Sequence, residues 1–193
     1  MHKGRLEAFS DGVVAIILTI MVLELKVPHG DDPAAPRALI PVFISYVLSF
    51  LHVGVYWNNH HHLFQAVHQV NGRILWSNLH LLFWLSLVPF ATGWMGENEF
   101  APWPVALYGV VLMMCGVAYY ILTRALLSHH EASSPLARAI GSDFKGRISV
   151  VLYVAALPLA FVNRWLAVGL YLCVILTWLV PDRRIERTVG ADA

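Results

Sequence analysis

The sequence predicts an all-α membrane protein with six transmembrane helices per subunit. Three observations carry that prediction. Hydrophobic residues make up 58% of the 193-residue chain and charged residues only 13%, where a soluble domain carries about a quarter charged. The apolar residues come in long blocks, as spans do, and not in the short alternating runs of a soluble core. Lysine and arginine, finally, are distributed unevenly between alternate connecting segments.

Six segments qualify as spans, at roughly 7–28, 38–62, 74–95, 103–127, 147–163 and 165–181. Each approaches the ~20 residues that cross ~30 Å of hydrocarbon. In the first, Glu7 and Asp11 precede the apolar run and no small-residue cleavage site follows it, so it reads as a retained span and not a signal peptide. A Gly- and Pro-containing turn at 29–37 leads to the second. Pro41, Pro89 and Pro158 fall inside spans, where neighbouring helices satisfy the freed backbone. The fifth and sixth are short and form a helical hairpin about Asn163-Arg164. Residues 1–181 thus make one domain, with a short polar tail at 182–193.

With the N-terminus inside, the inner segments hold Lys3, Arg5, Arg73, Arg124, Arg138, Lys145, Arg147, Arg183, Arg184 and Arg187. The outer ones hold only Lys26, Arg37 and Arg164. This bias puts both termini in the cytoplasm of a multi-pass protein of the plasma membrane. A net charge of +1 argues against a nucleic-acid partner. Cys115 and Cys173 sit inside spans and form no disulfide framework or metal motif.

The first span carries the most chemistry. On a wheel of about 100° per residue with Ile16 at zero, Thr19, Ile20 and Leu23 fall at about −60°, +40° and −20°. They form one aliphatic face with a hydroxyl in it. Asp11 and Ser10 fall at about −140° and +120°, away from that face. Ionisable groups at membrane depth are costly and usually partnered. The polar side is therefore expected to face the subunit's own bundle, which leaves the aliphatic side for another subunit or a pore axis.

A second constellation is Trp57-Asn58-Asn59-His60-His61-His62, at the cytoplasmic end of the second span, with Asn78 and His80 opening the third. Adjacent helical positions diverge by about 100°, so three consecutive histidines cannot converge on one zinc ion. The reading favoured is a polar packing network in which Asp11, Ser10 and Arg5 bond to His and Asn groups of the second and third spans. A third feature is acidic: Glu24, Asp31, Asp32, Glu97 and Glu99 lie at or beyond the outer span ends, where a carboxylate-lined mouth would concentrate cations. No nucleophile–base pair or metal triad marks an enzyme, and no cofactor is expected.

The motif Arg5-x-x-x-Phe9-Ser10-Asp11 resembles the signature of the transmembrane-protein-175 family, the lysosomal-type potassium channels with shorter bacterial relatives. The Ile16-to-Leu25 run, the Trp57-to-His62 segment and Asn78…Pro89-Phe90 resemble the same family. The resemblance implies a bacterial homotetrameric potassium channel in the inner membrane, whose first helices line a central pore. It implies a narrowest ring five positions after the Asp, at Ile16, with Ile20 and Leu23 as further rings and Thr19 between them. It also implies that Phe9, Ser10 and Asp11 pack against the second and third spans. Hydrophobic rings act by excluding water and forcing partial dehydration, which potassium tolerates better than the smaller sodium ion. Two alternatives stand beside this reading: a proton-conducting channel of the same fold that uses histidine relays, and a small-cation secondary transporter.

Overall fold

The computed structural model describes residues 3–28, 35–65, 67, 69–128 and 144–179. Helix α1 spans Lys3–Leu23. A 3₁₀ turn at Ala35–Leu39 leads into α2, Ile40–Gln65. Then follow α3 (Gly72–Ser86), α4 (Val88–Glu97), α5 (Pro102–Leu127), α6 (Phe144–Val162) and α7 (Arg164–Leu179). Among the described residues five helical stretches are long and apolar enough to cross a membrane, with α3 and α4 counting together as one, and α7 is a shorter apolar helix. The six-segment all-helical architecture read from the sequence is the fold observed.

Local chemistry explains the element ends. Helix α1 stops at Leu23, short of the expected residue 28; Leu25 N–H closes the last turn on the Val22 carbonyl at 3.1 Å. Asn71 caps α3, its side-chain oxygen accepting from Ile74 N–H at 3.0 Å. The third apolar run divides at Leu87, since the Pro89 ring lacks an N–H and crowds the carbonyl four residues back. Glu99 and Phe100 take left-handed φ values of 49° and 60° after α4. There Phe100 N–H reaches the Met95 carbonyl at 2.9 Å, the six-to-one bond of a Schellman-type stop. Proline at 102 opens α5, where its missing N–H costs nothing. Asn163 separates α6 from α7 and accepts from Trp165 N–H at 3.0 Å.

Helix α5 is the mast of the bundle, packed on α3, α4, α6 and α7. Helix α1 packs on α2, α3 and α4 through one stripe, Leu6, Ser10, Val14, Ile17 and Met21. Gly109 of α5 faces the Tyr171 hydroxyl of α7, and a Cβ there would overlap it. That hydroxyl donates to the Val105 carbonyl at 3.1 Å. Gly109→Ala should therefore displace Tyr171 and cost about 1–3 kcal/mol by overpacking, read as a lower melting temperature in detergent. An unchanged melting temperature would mean the α5–α7 contact gives way freely.

Candidate functional site

The stripe that α1 buries defines by subtraction the face it leaves uncovered. Ile16, Ile20 and Leu23 are 58%, 42% and 79% exposed, whereas Ile17, one residue round the helix, is 3% exposed. Thr19 lies on the uncovered face and donates its hydroxyl proton to the Ala15 and Ile16 carbonyls, at 3.0 and 2.9 Å. A hydroxyl spent as a donor within its own helix keeps its lone pairs for what lies outside. Phe9 and Arg5 are exposed nearer the N-terminal end of the helix. Beside this face, a groove of about 650 Å³ runs between α1 and α4, walled by Ile16, Ile20, Pro89, Phe90 and Trp94, with Glu24 and Glu97 at one end.

The predicted polar network exists in altered form. Ser10 is buried and donates to the Leu6 carbonyl at 2.8 Å. Asn78 Nδ2 donates to Ser10 Oγ at 2.9 Å, and Asn78 Oδ1 lies 2.8 Å from His60 Nε2. With the His60 proton on Nε2, every donor in the chain His60–Asn78–Ser10–Leu6 has an acceptor. His60 is thus the inward histidine of the three. His61 is exposed, stacked on Trp57 and 2.9 Å from Gln65 Nε2, while His62 is half-buried, as is Asn58.

Asp11 corrects the sequence reading. It is exposed, not buried in that network, and its Oδ1 accepts from Trp57 Nε1 at 2.9 Å. The reason is angular: Asp11 lies about 100° round the helix from Ser10, and only Ser10 belongs to the buried stripe. Among the described residues no hydrogen bond joins Arg5 to the chain of groups either. Instead Lys3 Nζ donates to the Phe64 and Gln65 carbonyls at 3.0 and 3.4 Å, tying the start of α1 to the end of α2.

At the other end of α1, Glu24 is exposed, and Lys26 pairs with Glu97 of α4 at 2.7 Å. The hydrogen bond to Glu97, and then its charge, raise the Lys26 pKa. Glu99 is exposed just beyond α4, while Asp31 and Asp32 of the expected acidic mouth lie outside the described residues, as does the 182–193 tail. Among the described residues no group of three or more His, Cys, Asp or Glu side chains is placed to hold a metal.

Sequence reasoning passed over one cluster. His52, Ser49, Thr92 and Tyr108 meet in the interior between α2, α4 and α5, all buried. The signal was available as spacing: Ser45, Ser49, His52, Tyr56 and His60 recur at three- and four-residue intervals along the inner face of α2.

Apolar helices wrapped about a partly polar interior, with an N-terminal helix half uncovered, define a multi-pass α-helical membrane protein. The comparisons give that class a family. The family model described as endosomal/lysosomal potassium channel TMEM175 matches residues 5–89. A protein of Chryseobacterium sp. strain P1-3, named a potassium channel, is 54% identical over 189 residues, 98% of either chain. Another from Streptomyces collinus, also named a potassium channel, is 33% identical over 175 residues, 84% of either chain. A crystal structure described as a lysosomal potassium-selective channel TMEM175 homolog from Chamaesiphon minutus matches with a TM-score of 0.78. It is 28% identical, and the match covers 93% of this chain and 97% of that one. The chain belongs to the TMEM175 family.

Proposed function

We propose that the protein is the subunit of a potassium-permeable cation channel, in which four copies surround a pore lined by α1. The observation that carries this is the uncovered aliphatic face of α1, with Ile16, Ile20 and Leu23 exposed beside a buried Ile17. The names borne by the bacterial relatives support the choice of ion. A single helix cannot enclose a pore, and cyclic symmetry is the usual closed arrangement of identical subunits. In that ring Ile16 forms the constriction, and the outward lone pairs of Thr19 offer oxygens to an ion that has lost water beside it. A hydrophobic ring strips water without replacing it, so the expected preference for potassium over sodium is modest. Glu24 and Glu97 stand at the outer end, where they would draw cations.

The reading includes a bacterial inner-membrane location with both termini cytoplasmic, from the ten-to-three partition of basic residues. It needs no cofactor beyond the permeant ions, and no catalysis. Purified protein in liposomes should pass potassium faster than sodium under matched gradients, with a current that does not saturate as a carrier's would. Mass measurement in detergent should give four copies. A monomer that conducts, or saturable uptake, would overturn the proposal.

A further inference from the structure

Helices α1 and α4 face each other across the groove of about 650 Å³. Val13, Ile16, Ile17 and Ile20 come from α1, and Pro89, Phe90, Gly93 and Trp94 from α4. Both sets recur at three- and four-residue intervals, so each is a single helix face. The groove face of α1 lies beside the proposed pore face. With Ile16 at zero, Val13 and Ile17 fall at about +60° and +100° on the wheel, away from Thr19 and Leu23 at about −60° and −20°. Ile16 and Ile20 form the shared edge. The walls are apolar and reach the surface: Phe90 is 67% exposed and Trp94 38%. From Val13 to Glu24 the helix rise is about 16 Å at ~1.5 Å per residue. That is the depth of one leaflet of a ~30 Å hydrocarbon core.

At its Glu24 end the groove changes character. It adjoins a second hollow of about 380 Å³, lined by Glu24, Lys26, Leu39, Val42 and Glu97. Glu24 and Glu97 border both spaces. The Lys26 ammonium donates to Glu97 at 2.7 Å. An ammonium has three hydrogens to give, so others are left for a further acceptor. Among the described residues no hydrogen bond or ion pair reaches the Glu24 carboxylate. That carboxylate lies across the groove from Gly93, where an added Cβ would stand 3.9 Å from its oxygen. Trp94, one turn from Glu97, has the placing of an indole ring at headgroup level. The end therefore offers two carboxylates and one ammonium above an apolar cleft.

The geometry points to a phospholipid site, in which the α1–α4 groove takes an acyl chain and the adjoining hollow takes a zwitterionic headgroup with a primary ammonium, as in phosphatidylethanolamine. The ammonium sits between Glu24 and Glu97, and the phosphate accepts from the spare hydrogens of Lys26. Each charge of the head thus meets its opposite. An anionic head such as phosphatidylglycerol brings no cation to the two carboxylates. A choline head brings a cation with no N–H to donate, and so forgoes the charge-assisted hydrogen bond. The chain lies against Ile16 and Ile20 from the side of α4, so the site borders the proposed pore, but lipid binding does not rest on that reading.

The test titrates the full chain, stripped of lipid in detergent, with dioleoyl phosphatidylethanolamine, phosphatidylcholine and phosphatidylglycerol, and counts bound copies by native mass spectrometry. Phosphatidylethanolamine should saturate at about one copy per chain and bind about tenfold more tightly than the other two, as loss of one charge-assisted hydrogen bond implies. Glu24→Gln should bring it to the phosphatidylcholine level. Glu99→Gln, at an exposed carboxylate outside the groove, should leave it unchanged. Gly93→Leu should fill the groove beneath Glu24 and abolish the saturable copy of any lipid. Leucine is the better helix former, and the melting temperature reports the fold. Should Gly93→Leu fail to fold, the exposed Glu24→Gln decides. Equal binding of the three heads, or a preference that survives Glu24→Gln, means ordinary annular lipid and overturns the site. Binding to single chains that vanishes in the assembled oligomer would seat a second copy in the groove and overturn it too. Potassium flux is measured separately, so a chain that fails to conduct but keeps its lipid preference, or the reverse, tells the two readings apart.

Discussion

Ile16→Asn should raise single-channel conductance and bring the potassium and sodium permeabilities closer together. In the proposed tetramer, four isoleucine side chains around the axis would leave little room for a hydrated ion and supply no dipole to replace its water. Asparagine is smaller and carries an amide, so the ring widens and wets. Relief of about 1.4 kcal/mol in the permeation barrier corresponds to about a tenfold faster passage. Reversal potentials in mixed potassium and sodium would show the lost discrimination. The neighbouring residue supplies the control. Ile17 is 3% exposed and faces the subunit core, so Ile17→Asn should lower the yield of folded protein by burying an amide, and Ile17→Cys should resist thiol reagents that reach Ile16→Cys. Equal reactivity at the two positions would mean that the uncovered face of α1 does not line the pore.

Asn78→Leu should produce the largest loss of stability among the polar residues. Asn78 both accepts from His60 and donates to Ser10, so its removal strands two buried groups on two other helices. Stranded groups of this kind cost about 1–3 kcal/mol in soluble proteins, and about 0.6 kcal/mol on average within membranes. The expected result is a lower melting temperature in detergent with an unchanged permeability ratio. Asp11→Ala removes only the exposed bond from Trp57 and should cost less. A greater loss at Asp11 than at Asn78 would mean that the signature aspartate is buried by a neighbouring subunit.

What the sequence disclosed was what is decided locally. Apolar runs became helices because that is the way to satisfy a backbone in an apolar medium. The alignment of Ile16, Thr19, Ile20 and Leu23 followed from helical spacing alone, and these residues do share the uncovered face. What stayed hidden was what depends on the position of the bundle. A wheel gives angles between residues but no direction toward the core, so Asp11 and Ser10 looked equivalent although only Ser10 is buried. Pro89 was visible as a proline within a span, but the division of that span at Leu87 depends on whether neighbouring helices hold the ends in line. His52 was lost among apolar neighbours, since its partner Tyr108 lies 56 positions away and only folding brings them together.

The placement of α5 has an evolutionary and practical consequence. Helices α6 and α7 pack mainly on each other and on α5, with α7 also reaching α2, whereas α1 packs on α2, α3 and α4. The family model, at residues 5–89, stops before α5 begins. On the proposed pore assignment, the far hairpin stands across the mast from the pore-lining helix. The same division marks the Asn163 turn as the place to graft a fluorophore or an affinity tag, where a passenger would ride on the scaffold without disturbing ion flow.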